Sequence, residues 1–290
     1  MAEREPNAHQ FTLDDALGVD TTGFMDLENP NYAYMFGFLQ ADGHLQQGVG
    51  QKGRLSVEIN VRDIDVLREF QRLTPYNSSI RERTRSTNFA ETAHSAVWSF
   101  CSLEARTKLN ELGLPYGRKS MAITPPGGQF SCRDYLRGVI DADGSVGYTN
   151  KGFPFISLTT ASTALGTYVS QYVKEVTGVE RNIKRNMRDR IYNLYYAKEA
   201  AQALAAHLYY PGCLSLERKR RSAESLATWL RPPSMRSAHT RRSWKEWEDR
   251  ILLELKSPKE AAEKLDRSPQ SCSLRLWRLR SGQAPMPSDQ

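Results

Sequence analysis

Cysteine is scarce and scattered. Cys101, Cys132, Cys213 and Cys272 stand far apart, and no two form a CxxC pair. That spacing argues against a zinc ribbon or a disulfide framework and fits a reducing compartment. No apolar run approaches the roughly 18 residues that span a bilayer, so no membrane partner is expected. The opening residues MAEREPNAHQ lack a basic flank followed by an apolar stretch, so no secretory leader is expected either. The chain is not depleted enough in hydrophobic residues to be disordered: they make up 39%, against 25% charged. Its 290 residues suggest two domains at ~150 residues each, enough to bury a core without staples.

What the sequence does have is positive charge, unevenly placed. The net charge is +7, but residues 1–180 carry −4 and residues 181–290 carry +11. Such an excess points to a polyanion, most simply nucleic acid. A solvated basic surface is the plainer alternative.

Periodicity divides the chain. Residues 1–29 are acidic with little pattern and read as an arm. Leu55, Val57, Ile59 and Val61 alternate with polar residues, the signature of a half-buried strand. Ile64, Leu67, Phe70 and Leu73 then recur at helical spacing. Arg81, Arg83 and Arg85 share one face of the next extended stretch, with no acidic partner expected on it. Residues 102–112 read as a helix stopped by Gly113. The same order recurs: PFISLTT as a strand, 162–176 as a helix, NIKRNM and IYNLYYA as strands, and 198–208 as a helix. Residues 231–242 read as a basic linker, 243–282 as a small helical domain and 283–290 as a disordered tail.

The recurrence is sharp when measured from fixed points. FGFLQADG ends in Asp42-Gly43 and RGVIDADG in Asp143-Gly144, an offset of 101 residues. Lys119 and Lys219 lie 77 and 76 residues beyond the respective aspartates. The chain therefore contains two similar halves, 30–130 and 131–230, related by a pseudo-two-fold. Residues 31–42 and 132–143 read as helices closed by glycines suited to a left-handed C-terminal position. Gly37 and Ala41, or Gly138 and Ala142, lie four apart on one helix face, so the two helices could pack closely and bring Asp42 and Asp143 together. A helix C-terminus disfavours an added carboxylate, and a cation would offset this. Oxygen ligands suit Mg²⁺, which takes one or two carboxylates plus substrate phosphates, as in phosphodiester hydrolysis. An EF-hand counted from Asp141 fails, because Val146 and Gly152 stand where Gly and Glu are needed. Asx-type turns and simple packing are the structural alternatives.

Over residues 31 to about 228 the two motifs, the element order and the downstream GRKS and ERKR segments resemble the single-chain, two-repeat LAGLIDADG homing endonucleases. The resemblance implies an α+β fold: two pseudo-symmetric αββαββα repeats forming an antiparallel β saddle over the DNA major groove. It implies cleavage of both DNA strands with a divalent metal, leaving 3′ overhangs. It carries the metal-binding role to Asp42 and Asp143, with Gly43 and Gly144 beside them. It carries a catalytic basic role to Lys119 and Lys219, and a water-orienting role to Asn60. The sixth motif letter is Gln40 in one half and Asp141 in the other. The counterpart of Asn60 is Ala161, beside Ser162, which suggests unequal cutting of the two strands.

A two-stranded ribbon fits the major groove, so outward strand residues are candidate DNA contacts. These are Arg54, Glu58, Asn60, Arg81, Arg83 and Arg85 in one half, and Thr159, Lys184, Asn186 and Arg188 in the other. Three capping signals, Ser243-Trp244-Lys245-Glu246, Ser257-Pro258-Lys259-Glu260 and Ser268-Pro269, open three short helices near the C-terminus. Trp244, Trp247, Ile251 and Leu255 are expected to line the first, Ala261, Ala262 and Leu265 the second, and Leu274, Trp277 and Leu279 the third. This segment resembles a Myb/SANT-like helix-turn-helix module. The resemblance puts Gln270, Ser271, Ser273, Arg275, Arg278 and Arg280 at DNA, with Arg241 and Arg242 in the linker ahead of them.

The function expected is a monomeric, Mg²⁺-dependent, site-specific double-strand DNA endonuclease that promotes mobility of its own gene or intron, with Mn²⁺ or Ca²⁺ substituting for binding. The alternatives are an RNA maturase acting on its own intron RNA and a DNA-binding regulator on the same scaffold. An intein is disfavoured because the chain neither begins with Cys or Ser nor ends in His-Asn. A cytoplasmic bacterial or phage setting is expected, and an organelle also fits.

Overall fold

The computed structural model describes residues 21–87, 90–233, 235 and 244–287. The chain forms two compact units, residues 1–230 and 231–290. In the first, one order of elements occurs twice. The first copy comprises α1 (Pro30–Asp42), β1 (His44–Gln46), β2 (Arg54–Asn60), α2 (Ile64–Leu73), β3 (Ser78–Thr87), β4 (Ala90–Phe100) and α3 (Leu103–Glu111). The second comprises α4 (Cys132–Asp143), β5 (Gly144–Tyr148), β6 (Pro154–Thr160), α5 (Thr163–Thr177), β7 (Arg185–Asn186), β8 (Ile191–Ala197) and α6 (Glu199–Leu208), followed by α7 (Glu217–Leu226). Each copy builds a four-stranded antiparallel sheet, in the orders β1-β2-β4-β3 and β5-β6-β8-β7.

The local causes are visible in the sequence. Leu55 and Val57 of β2 face the core while Arg54, Ser56 and Glu58 lie on the other side. The Ser102 and Ser162 hydroxyls accept the N–H groups of Ala105 and Leu165, satisfying first-turn donors that the helices cannot pair themselves. Gly113 has φ +105°, a region open to glycine at little cost.

The centre of the first unit is the packing of α1 against α4. A Cβ on Gly37 would lie 2.2 Å from the Tyr135 carbonyl oxygen, and one on Gly138 would lie 2.1 Å from that of Tyr34. The helices therefore meet backbone to backbone. Phe38, Phe70, Trp98 and Phe100 continue the core in a chain of edge-to-face contacts.

Several expectations change. Gly43 and Gly144 are not left-handed: their φ values are −68° and −93° with extended ψ. The chain leaves each motif helix straight into a strand. Glycine is needed there because a Cβ would lie 2.6 Å from the Leu39 carbonyl oxygen or 2.8 Å from that of Ile140. Most of NIKRNM is not strand, since β7 spans two residues. The Asn186 side chain accepts from the Arg188 N–H and Arg190 adopts φ +55°, so the chain turns instead of extending. Residues 1–20 of the acidic arm lie outside the described residues, but Phe24, Met25 and Leu27 are buried in the core.

The second unit holds α8 (Glu246–Leu255), α9 (Pro258–Leu265) and α10 (Pro269–Arg280). The Ser257 and Ser268 hydroxyls accept from Glu260 and Ser271 N–H groups, as their spacing predicts. The first helix begins later than expected, with the Lys245 N–H donating to Glu248; Ser243 lies outside the described residues. Leu252, Ala261, Ala262, Leu265, Cys272, Leu276 and Leu279 form the core. Trp247, Leu274 and Trp277 do not join it and are about half exposed, at 47%, 48% and 53%. Ala284, assigned to the tail, is buried against these helices.

A paired carboxylate site at two helix ends

Asp42 and Asp143 are the last residues of α1 and α4. Because the helices cross in reciprocal register, their C-termini come together and the two carboxylates sense each other. Surrounding protein raises the Asp42 pKa, and the Asp143 charge raises it further, while Lys119 and Lys219 pull it down. Asp143 stays in contact with solvent, but partial desolvation by the surrounding protein raises it as well, again opposed by both lysines. In Asp143→Asn the Asp42 carboxyl should therefore titrate at lower pH than in the wild type. Carboxyl ¹³C NMR reads this directly, and an unmoved Asp42 would put the two groups out of electrostatic reach.

The lysines sit beneath the carboxylates. Lys119 Nζ donates to the carbonyls of Leu39, Gln40 and Ala41 at 2.9, 2.6 and 2.6 Å. Lys219 Nζ donates to those of Ile140, Asp141 and Gly144 at 2.7, 2.6 and 2.7 Å. Each ammonium has three protons, and all three are spent on carbonyls at or just past the helix end. A cation there also opposes the negative end of the helix dipole. Burial pushes both lysines down to about 8, with the neighbouring aspartates acting the other way. Their geometry is thus that of clamps on the motif helices rather than of groups reaching outward. The Gly144 carbonyl also accepts from Lys219, which uses one of its two lone pairs.

Gln40 and Asp141 explain the mismatch between the two motifs. Tyr135 hydroxyl donates to Gln40 Oε1 at 2.6 Å, and Tyr34 hydroxyl donates to Asp141 Oδ2 at 2.8 Å, so each helix reaches the other in the same way. The remaining partners differ. Gln40 Nε2 donates to the Gly113 and Thr124 carbonyls. Asp141 accepts from the Tyr209 hydroxyl and the Leu216 N–H. An amide suits two acceptors and a carboxylate suits two donors. Gln40→Glu would set a buried charge against two carbonyl oxygens and should cost about 3–5 kcal/mol. Asp141→Asn keeps an accepting oxygen and should cost about 1–3 kcal/mol. Urea unfolding measures the order, and an equal or reversed order would refute it.

The outer face of the first sheet is basic. Arg81, Arg83 and Arg85 pair with Val97, Ser95 and Ala93, while Glu58 and Asn60 pair with the same Val97 and Ser95 from the other side. All therefore point one way, with Arg54. Contrary to the sequence reading, this face does contain an acid: Arg85 forms an ion pair with Glu58 at 3.0 Å, and Ser95 donates to the same carboxylate at 2.6 Å. Lys52, Arg54, Arg81 and Arg83 line a concavity of about 980 Å³ with no acidic residue in its wall. Asn60 caps a short 3-10 turn, its Oδ1 accepting from the Arg62 N–H.

The other candidates are placed differently. Thr159 is exposed and bonds Asn193 across the sheet. Lys184, Asn186 and Arg188 are exposed around the short β7 turn. Ala41 and Ala142 are half-buried beside the helix interface. In the second unit Gln270, Ser273, Arg278 and Arg280 are exposed and Ser271 is half-buried. Arg275 turns inward instead, in a two-bond pair with Asp249 at 2.7 and 2.5 Å. Arg241 and Arg242 lie outside the described residues. Sequence reasoning missed Arg106, which is fully buried and donates to the carbonyls of Cys101, Gln46, Gly48 and Gly50. It fixes the loop between β1 and β2.

A hard-cation site fits these donors. The two exposed carboxylates offer oxygen only, and among the described residues no group of three or more His, Cys, Asp and Glu gathers into a self-sufficient cage. Two carboxylates leave room for phosphate oxygens, as Mg²⁺ prefers.

Residues 131–226 match the family described as LAGLIDADG-like domain. No curated protein matches the chain. Among solved structures, the homing endonuclease I-WcaI bound to its DNA recognition sequence is 14% identical, with 71% of this chain and 96% of that one covered and a TM-score of 0.46. I-SmaMI bound to uncleaved DNA in the presence of calcium ions is 14% identical, with 60% and 80% covered and a TM-score of 0.40. The I-LtrWI LAGLIDADG homing endonuclease bound to target DNA is 10% identical, with 70% and 89% covered and a TM-score of 0.43.

Proposed function

We propose that this chain is a site-specific endonuclease for double-stranded DNA that cuts both strands, leaves 3′ overhangs at a long target and thereby promotes mobility of its own gene or intron. The observation that carries the reading is the convergence of Asp42 and Asp143 at the ends of two helices packed backbone to backbone. The match of residues 131–226 to a LAGLIDADG-like domain supports it, as does the basic face of the adjoining sheet.

The sheets hold the duplex through phosphate and base-edge contacts. Asp42 and Asp143 turn paired carboxylate oxygens toward the phosphates to be cut. Asp42 and Asp143 would hold a divalent cation, taken as Mg²⁺ with Mn²⁺ or Ca²⁺ substituting for binding, which would supply charge to stabilise the transition state and lower the pKa of water. Lys119 and Lys219 keep the helix ends rigid and favour the ionised carboxylates. Asn60 is exposed at the end of β2, and its amide would orient water. Its counterpart Ala161 has no such group, so the two strands would be cut at unequal rates. The duplicated halves supply both carboxylates in one chain, so a monomer suffices. The helical unit would extend the footprint as a helix-turn-helix through Gln270, Ser271 and Arg278 on α10.

The test is incubation of a randomised duplex library with the full chain and Mg²⁺, followed by sequencing of the new ends. Recurrent 3′-overhanging ends at one long motif are expected. Selective retention of a duplex without cutting would favour a regulator, and binding to structured intron RNA in preference to any duplex would favour a maturase.

A further inference from the structure

Pseudo-symmetry brings the paired sheets into equivalent positions, but their outer faces are not equivalent. In the first half β3 and β4 run for 10 and 11 residues. At about 3.4 Å per residue, β3 is about 34 Å long, close to one turn of B-DNA. In the second half β7 pairs over two residues, about 7 Å. The chemistry differs as well. Arg54, Arg81 and Arg83 project from the first face, and the loop bearing Lys52 is pinned from below by Arg106. On the corresponding face of the second sheet β6 and β8 carry Phe155, Ser157, Thr159, Asn193 and Tyr195, all uncharged, and the exposed Lys184 and Arg188 flank the two-residue β7 instead of standing along a long strand. There Phe155 stacks on Tyr195, and Thr159 bonds Asn193. Asn186, at the turn, is spent on Arg188 and Asp189.

We infer that the two halves read DNA unequally: the first half selects sequence through Arg81 and Arg83 on its long ribbon, while the second half selects weakly. This rests on the endonuclease reading above. Arg85 is not counted with the other two, because Glu58 engages its guanidinium. Among the described residues no acid pairs with Arg81 or Arg83, and the two stand two residues apart along a strand of groove length. An arginine can bond both acceptors of a guanine edge in the major groove. The prediction is therefore a lopsided target, with one half-site strongly constrained and the other permissive.

The experiment uses the full chain with Ca²⁺ and the selected duplex, in two libraries that randomise one half-site each. Randomising the constrained half-site should lower retention at least about a hundredfold, and randomising the other less than about tenfold. Arg81→Ala and Arg83→Ala should each relax discrimination at separate positions of the constrained half-site by about ten- to a hundredfold. Both side chains are exposed, and circular dichroism checks that each variant folds. Equal constraint on the two half-sites would overturn the inference. So would relaxation in the permissive half-site, or uniform weakening across all sequences, the mark of a phosphate contact. A wild-type chain that selects no duplex would instead overturn the endonuclease reading, and this inference with it.

Discussion

Asp42→Asn and Asp143→Asn should each slow cleavage by at least about a hundredfold, the scale of losing one electrostatic contact at a reacting centre, while retaining the target duplex. Each substitution keeps the shape and removes one charge from a site whose donors are two carboxylates. Both side chains are exposed at helix ends, so neither change leaves a buried group unpaired. Replacing a carboxylate there also relieves an unfavourable charge at the helix C-terminus, so stability should hold or rise slightly. Duplex retention with Ca²⁺ and cleavage with Mg²⁺ are measured on the same preparation. Full cutting by both variants would remove the carboxylates from the mechanism. Loss of binding together with cutting would make them DNA-docking groups instead.

Gly37→Ala and Gly138→Ala should each destabilise the first unit by more than about 4 kcal/mol, beyond the ~1–3 kcal/mol of ordinary overpacking. The added methyl would lie 2.2 or 2.1 Å from a carbonyl oxygen on the facing helix. That oxygen is backbone and cannot rotate away. The helices would have to separate by roughly an ångström, and the Tyr34–Asp141 and Tyr135–Gln40 bonds would stretch with them. Gly127→Ala is the control, since nothing lies within 4 Å of its added carbon. Urea unfolding gives the comparison, and a loss no greater than that of the control would mean that the interface is loose.

Much of this architecture is legible in the sequence because its causes are local. The alternation in β2, the helical spacing of α2 and the serine caps of α5, α9 and α10 depend on neighbours a few residues away. The small residues of the motif helices announce a close approach without showing what is approached. What escaped reading is long-range. β1 and β5 are short strands following directly on helices, and no periodicity develops over three or five residues. The lysines' orientation depends on carbonyls 75 to 80 positions away. Glu58 and Arg85 meet across an intervening strand, and Arg275 finds Asp249 on another helix. Helical spacing in α10 misassigned Leu274 and Trp277 because Cys272, Leu276 and Leu279 occupy the face turned to the core.

The bonding of Gln40 and Asp141 also bears on how such a chain can be rebuilt. Across the interface each residue meets a tyrosine hydroxyl, a donor equally served by an amide oxygen or a carboxylate. Within its own half each meets groups of only one polarity, Gly113 and Thr124 for Gln40, Tyr209 and Leu216 for Asp141. The seam is therefore generic and the seating is private. Recombination that transplants a complete half, including the segment that closes it, preserves the bonds each residue makes within its own half; a cut between residues 40 and 113, or between 141 and 209, breaks one. Shuffling of such parts would succeed at the joint between the repeats and fail inside them.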